Sequence, residues 1–251
     1  VAGMSRLDVA IRAKRHAGAA ADTLGELQFS AESGDFLAIV GPSGAGKTTL
    51  LKIIAGLDPA FDGAVSAGRD TRVGFVFQEP RLLPWLNVAD NLRLVQPDLP
   101  DALIDAGLAK VGLPGAAHQL PLRLSGGMQR RVALLRAFLI KPELLLLDEP
   151  FISLDAPTAD SLYDVLAALR ADVMPTTLLV THDLREALAL ADRVLFVSKS
   201  PARVILDHRV ALPKPRHRDD DAVSQAHHEL MSRHPELLGG LAAACPKPEA
   251  V

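Results

Sequence analysis

Cysteine occurs once in the 251 residues, at Cys245, so no disulfide can close within the chain. A reducing compartment, the cytoplasm, fits that usage. An excess of positive charge is also missing. Lys and Arg number 27 against 30 Asp and Glu, for a formal net charge of -3, so no global basic field exists to hold a polynucleotide backbone. Nucleic acid is therefore not an expected partner. Long apolar runs are lacking too: none exceeds five residues, Phe36 to Val40 being one, where a spanning helix needs roughly 20. The chain is not expected to cross a bilayer, despite a mean hydropathy of +0.19. The front shows no charged start followed by an apolar stretch and a small-residue cleavage site, so no secretory leader is read there. Val1-Ala2-Gly3, ahead of Met4, are set aside from fold reasoning. No repeat of 20 to 50 residues is visible. What remains is an ordinary globular mixture, 49% hydrophobic and 23% charged, long enough for one large domain or two small ones.

Short apolar runs alternate with helical patterns, which predicts an α/β fold. Phe36–Val40, Val73–Phe77, Leu144–Asp148, Thr177–Thr181 and Val194–Val197 lack the alternation of a half-exposed sheet and read as buried parallel strands. Leu7 to Ala13 does alternate. With Glu26 to Ala31 and Ala64 to Ala67 it predicts a smaller antiparallel layer. Apolar residues at three- and four-residue spacing predict helices over Thr48–Leu57, Met128–Ile140, Ala159–Ala171 and Leu184–Asp192. Between Pro80 and Leu124 the texture turns to leucine and proline, with short helices over Val88–Leu94 and Pro100–Val111, an inserted helical subdomain. After Asp207 the chain is rich in proline, histidine and charge, then offers two helices and a loose end.

Gly41-Pro42-Ser43-Gly44-Ala45-Gly46-Lys47-Thr48 matches G-x-x-x-x-G-K-[ST] between an apolar strand and a helical pattern. Glycines let successive N–H groups point inward, the helix beginning at Lys47 adds its dipole, and the Lys47 ammonium reaches the β- and γ-phosphates. The Thr48 hydroxyl suits Mg²⁺, with Thr49 next to it. Leu144 to Glu149 supplies a buried strand ending in two carboxylates, Asp148 for the metal and Glu149 for the attacking water. Alone, such an ending also describes a capped strand-to-loop turn. Ser125-Gly126-Gly127 opens a long amphipathic helix, a second anion-binding helix N-terminus in the chain. Two such sites beside one Lys-Thr loop imply a shared phosphate.

Together with Gln78 and His182, these segments resemble the ATP-binding subunit of ABC transporters over residues 7 to 210. The resemblance implies a RecA-like P-loop NTPase core with an antiparallel β layer over residues 4–79 and 131–206. It implies a helical subdomain over 80–130, with 207–251 left as a helical tail. It further implies ATP and Mg²⁺ as ligands, and a head-to-tail pair of copies in which Lys47 of one and Ser125, Gly126 and Gly127 of the other hold one γ-phosphate. Gln78 takes the role of the loop glutamine that senses Mg²⁺ and water, Asp155 that of the aspartate crossing the dimer interface, and His182 that of the switch histidine. Out of that context Gln78 reads as a strand-end cap, Asp155 as a helix N-cap and His182 as a polar strand terminus. The family's usual adenine-stacking aromatic is missing, since no Phe, Tyr or Trp precedes Phe29. His16, Arg15 or Arg12 is left to cover the base. Met128 stands where Gln is the commoner family residue.

Phe77 to Val88 is similar to the segment found in importers of the nitrate, sulfonate, taurine and thiamine-precursor group, where it flanks the groove for the membrane subunit. Arg81, Leu83 and Trp85 then transmit closure to a permease, unless they simply pack the subdomain. That branch implies an importer ATPase at the cytoplasmic face of the inner membrane, served indirectly by a solute-binding protein. The runner-up is an exporter ATPase with separate membrane subunits. Coiled-coil relatives are excluded by the 47 residues from Gln78 to Ser125, and a degenerate regulator by the presence of Lys47, Glu149 and His182. His217, His227, His228 and His234 match no compact zinc spacing, and Arg216 to Asp221 reads as a solvated mixed-charge turn.

Overall fold

A computed structural model describes residues 6–68 and 70–241. Cys245 and the loose end of the tail lie outside them. In chain order the elements begin with β1 (Arg6–Ala13), β2 (Leu27–Glu32), β3 (Phe36–Val40), α1 (Lys47–Ile54) and β4 (Asp62–Ser66). Then come β5 (Val73–Val76), α2 (Val88–Arg93), α3 (Asp101–Lys110), α4 (Gly126–Leu139), β6 (Leu144–Asp148) and α5 (Ala156–Val173). The chain closes with β7 (Thr176–Thr181), α6 (Leu184–Leu190), β8 (Arg193–Val197), β9 (Val204–Arg209) and α7 (Asp221–Arg233). The chain divides into two compact units, Val1–Arg69 with Thr176–Val251, and Asp70–Pro175.

In the first unit the alternating segment behaves as expected. Leu7, Val9 and Ile11 of β1 are buried and register against Ala31, Phe29 and Leu27 of β2, while β4 pairs along the other edge. β3 is buried along its whole length between parallel β7 and β8. Each such aliphatic side chain contributes about 1.5–3 kcal/mol through burial. β9 pairs antiparallel with β8, a strand that the sequence pattern did not predict. Only Ile205 of it is buried, so Val204-Ile205-Leu206 gives too short an apolar run to register as a strand. α7 packs on α6, and the second tail helix is only a 3-10 turn, Leu237–Gly239.

In the second unit β5 and β6 pair in parallel from Val73↔Leu144 to Val76↔Leu147. Gly74 brings β5 against the end of α4: a Cβ there would stand 2.9 Å from the Ala137 carbonyl oxygen. α4 packs against α5, α2 and α3. α5 begins with Pro157 in its first turn, where no N–H is needed, and stops at Met174, left-handed at φ 47° and followed by Pro175.

Arg216 overturns part of the solvated-turn reading. It is 9% exposed and donates to the backbone carbonyls of Ala189 and Ala191 at the end of α6 and of Leu212 in its own segment, so its charge is buried against carbonyl acceptors. His217, Asp219 and Asp221 are exposed as expected.

Candidate active site

The phosphate loop leaves the C-terminal end of β3, the end at which parallel sheets carry their ligands. Gly41 must be glycine, because a Cβ would stand 2.8 Å from the Val197 carbonyl oxygen. Gly44 and Gly46 adopt φ 78° and 94°, the left-handed region that curls the loop. Space differs at the two positions. A Cβ on Gly44 would meet nothing within 4 Å, whereas one on Gly46 would meet Leu24 at 2.7 Å and Thr23 at 2.8 Å. The Lys47 side chain folds back across the loop, its ammonium donating to the carbonyl oxygens of Gly41 at 2.8 Å and Pro42 at 3.0 Å. Gly46 stands at the N-cap of α1 with no side-chain hydrogen bond, and no acidic residue sits in the first turn. The positive end of the helix dipole therefore faces the loop with no carboxylate in its own first turn.

Strand register places His182 beside this loop. Val40 pairs with Thr181, so Gly41 and His182 emerge side by side from neighbouring strands about 4.8 Å apart. His182 is exposed, between two tethered neighbours. The Thr181 hydroxyl donates to buried Glu186 at 2.5 Å and accepts the Asp183 N–H at 3.0 Å. The Asp183 carboxylate caps α6, accepting from Arg185 N at 2.9 Å and Glu186 N at 3.3 Å.

Of the three candidates to cover a base, the structure brings one to the loop's helix. His16 Nε2 lies 3.4 Å from Thr49 Oγ1, while Arg15 pairs with Asp22 at 2.8 Å and Arg12 pairs with Asp62. Buried Lys14, passed over in the sequence, ties the end of β1 to the turn after α1 through Asp58 and the Ala60 carbonyl. Hydrogen bonding from Lys14 holds the Asp58 carboxyl below the usual carboxylate range.

The second unit repeats the logic with carboxylates. The pairing of Val76 with Leu147 carries Gln78 and Glu149 out at the same C-terminal edge of β5 and β6. Asp148 is buried at the strand end, and Glu149 is left-handed at φ 45°. That conformation costs a non-glycine residue about 1–2 kcal/mol, a strain concentrated at functional positions. Ser125 caps α4, its hydroxyl accepting the Met128 N–H at 3.3 Å, and Gln129 ties the preceding loop through the Pro121 and Leu124 carbonyls. A Cβ on Gly126 would meet nothing within 4 Å; one on Gly127 would strike the Thr158 methyl at 2.6 Å. The same Thr158 side chain hydrogen-bonds Asp155 and holds its carboxyl below the usual range. Asp155 occupies the N-cap of α5 and remains exposed.

The loop after Gln78 is braced rather than buried. Arg81 stacks over Phe77 at 3.9 Å, Arg136 donates to the Pro80 and Arg81 carbonyls, and Trp85 is 71% exposed. Asn91, fully buried on α2, was missed in the sequence. Its signal was a polar residue on the stripe of Val88 and Leu92.

The model of the ABC transporter family matches residues 24–152. The aliphatic sulfonates import ATP-binding protein SsuB 1 of Pseudomonas syringae pv. syringae is 44% identical over 235 residues, 92% of this chain and 98% of that protein. The aliphatic sulfonates import ATP-binding protein SsuB of Mycobacterium sp. (strain MCS) is 45% identical over 91% of this chain and 94% of its own length. Among solved structures, a dimeric post-hydrolysis state of an ATP-binding cassette bound to ADP and Pi matches with a TM-score of 0.70 at 26% identity. It covers 82% of this chain and 100% of that one.

Proposed function

Because the chain belongs to the ABC transporter family, we propose that it is the ATP-binding and ATP-hydrolysing subunit of an importer for a small organic anion of the aliphatic sulfonate class. The observation that carries the ATPase reading is the phosphate loop, curled by two left-handed glycines and closed by a buried lysine on its own carbonyls. The solute class rests on the names of relatives that match nearly the whole chain.

In this reading the loop N–H groups and the Lys47 ammonium receive the β- and γ-phosphates, charge-assisted hydrogen bonds in a site made positive by the α1 dipole. Thr48 and Asp148 offer a hydroxyl and a carboxylate oxygen, the hard donors that suit Mg²⁺. Those two residues, with Gln78, would hold the ion. Mg²⁺ would supply charge neutralisation on the phosphate oxygens. Glu149 orients and deprotonates the attacking water, and His182 contacts the γ-phosphate. Ser125, Gly126 and Gly127 complete the site from a second copy, with Asp155 at the interface between copies. The exposed Trp85 and its braced loop meet the membrane permease, which places the chain peripherally at the cytoplasmic face of the membrane. A solute-binding protein delivers the anion on the far side. Among the described residues no helix is long and apolar enough to cross the membrane.

Mixing chains tests the shared site. Lys47→Ala and Ser125→Arg each silence hydrolysis alone, yet a head-to-tail pair of the two keeps one complete site and one doubly damaged one. Recovered ATPase activity in the mixture supports the arrangement; silence in the mixture contradicts it.

A further inference from the structure

The segment 212–220 lies beyond the last strand, between β9 and α7. Its two arginines hold opposite ends of one helix. Arg216 puts a buried guanidinium on the C-terminal carbonyls of α6, donating to Ala189 at 3.1 Å and to Ala191. Arg218 meets the helix's N-cap, its guanidinium 2.9 Å from Asp183 Oδ2. The Asp183 carboxylate is thus divided between two tasks: Oδ1 accepts the first-turn N–H groups of α6, and Oδ2 holds the tail. α6 is roughly 10 Å long, and two residues of extended chain cover at most about 7 Å, so the long arginine side chains make up the span. A cation at the carbonyl end of a helix is favourable, and its planar fork suits several acceptors at once. The segment is itself anchored. Lys214 pairs with Asp192 at 2.6 Å, the His217 N–H donates to Asp220 at 2.7 Å, and α7 then packs on α6.

α6 begins directly after His182, and Thr181 and Asp183 on either side are both tied into its first turn. A rotation or shift of α6 therefore moves His182. We propose that Arg216 and Arg218 strap α6 at both ends and so position His182, making turnover depend on a segment that follows the last strand of the sheet. The proposal rests on the reading of His182 as the γ-phosphate contact. Arg216 and Arg218 are positioning residues, since they act through the two ends of α6.

The test uses the full chain, with kcat and KM for MgATP measured beside the imidazole C–H resonance of His182, assigned by its loss in His182→Ala. Arg218→Ala breaks a half-exposed ion pair and leaves the Asp183 cap in place, so the protein remains folded. The expected result is about a tenfold fall in kcat, with KM within about twofold and a shifted or broadened His182 resonance. Arg218→Lys restores most of the rate. Asp183→Asn, which keeps a capping oxygen and weakens the ion pair, lowers kcat in the same direction. A wild-type kcat in Arg218→Ala, or a lowered kcat with an unmoved His182 resonance, overturns the strap. If His182→Ala itself turns over normally, the reading of His182 fails and the strap falls with it. Which variant is silent tells the two failures apart.

Discussion

The Asn91 side chain accepts the Leu83 N–H at 2.7 Å and returns a hydrogen bond to the Leu83 carbonyl at 3.1 Å. Its amide nitrogen also reaches the carbonyls of Leu86 at 3.0 Å and Asn87 at 3.0 Å. One buried side chain thereby fixes both sides of the exposed Trp85. Asn91→Ala removes the side-chain bonds to the Leu83 N–H and the Leu86 carbonyl, while the Leu83 and Asn87 carbonyls keep the Leu86 and Asn91 N–H groups, and it is expected to destabilise its unit by about 1–3 kcal/mol, read from urea denaturation. Limited proteolysis should then cut within 83–87.

Trp85→Ala removes the exposed indole from that braced loop. Basal ATP hydrolysis is expected to stay at the wild-type rate while solute uptake by the reconstituted transporter falls. Unchanged uptake would place the permease contact elsewhere.

Gly46 combines φ 94° with close neighbours, Leu24 and Thr23, at the position a Cβ would occupy. Gly46→Ala is expected to cost about 1–3 kcal/mol in the loop conformation and to weaken ATP binding about tenfold or more by calorimetry. Gly44→Ala meets only the torsional cost in the free chain, because nothing lies within 4 Å. Any larger effect there comes from the phosphates that the loop receives.

The tail carries a pH dependence. Burial, then the charge of Arg233, pushes the pKa of His208 below its ordinary value, with His234 adding to the effect and Asp207 opposing it. Burial, then Arg185, lowers His227 likewise, against Asp183. Both side chains prefer to be neutral in the fold, so the unfolded chain binds more protons just below about pH 6.5. Their contribution to stability is whole above that value and is lost as the pH falls through the window. The urea midpoint should decline on going from about pH 7.5 to about pH 5.5, and His208→Gln should flatten the slope. An equal slope in the variant would assign the dependence to other groups.

Much of this architecture could be read from the chain because its core strands are buried on both faces. Phe36–Val40 and Leu144–Asp148 are continuous apolar runs, and their bounds agree with the strands formed. Helix ends shifted where caps decide them. α4 starts at Gly126 because Ser125 caps it, and α5 starts at Ala156, with Asp155 at the N-cap position and Pro157 in the first turn. β9 was lost because an edge strand buries so little. Arg216 was misread because a charged residue in a Pro-Lys-Pro-Arg stretch ordinarily faces water, and only the fold shows that helix-end carbonyls await it. Pairing of Val40 with Thr181 and of Val76 with Leu147 likewise depends on strand order, which local pattern does not encode.

In the proposed function this chain is half of an ATPase whose attacking water is activated by Glu149. Glu149→Gln, studied with MgATP by steady-state hydrolysis and sedimentation together, tests it most directly. The expected result is a fall in turnover of about 10²- to 10⁴-fold, with ATP-bound dimer accumulating at twice the 26.7 kDa chain mass. Wild-type hydrolysis by a chain that stays monomeric in ATP would contradict it.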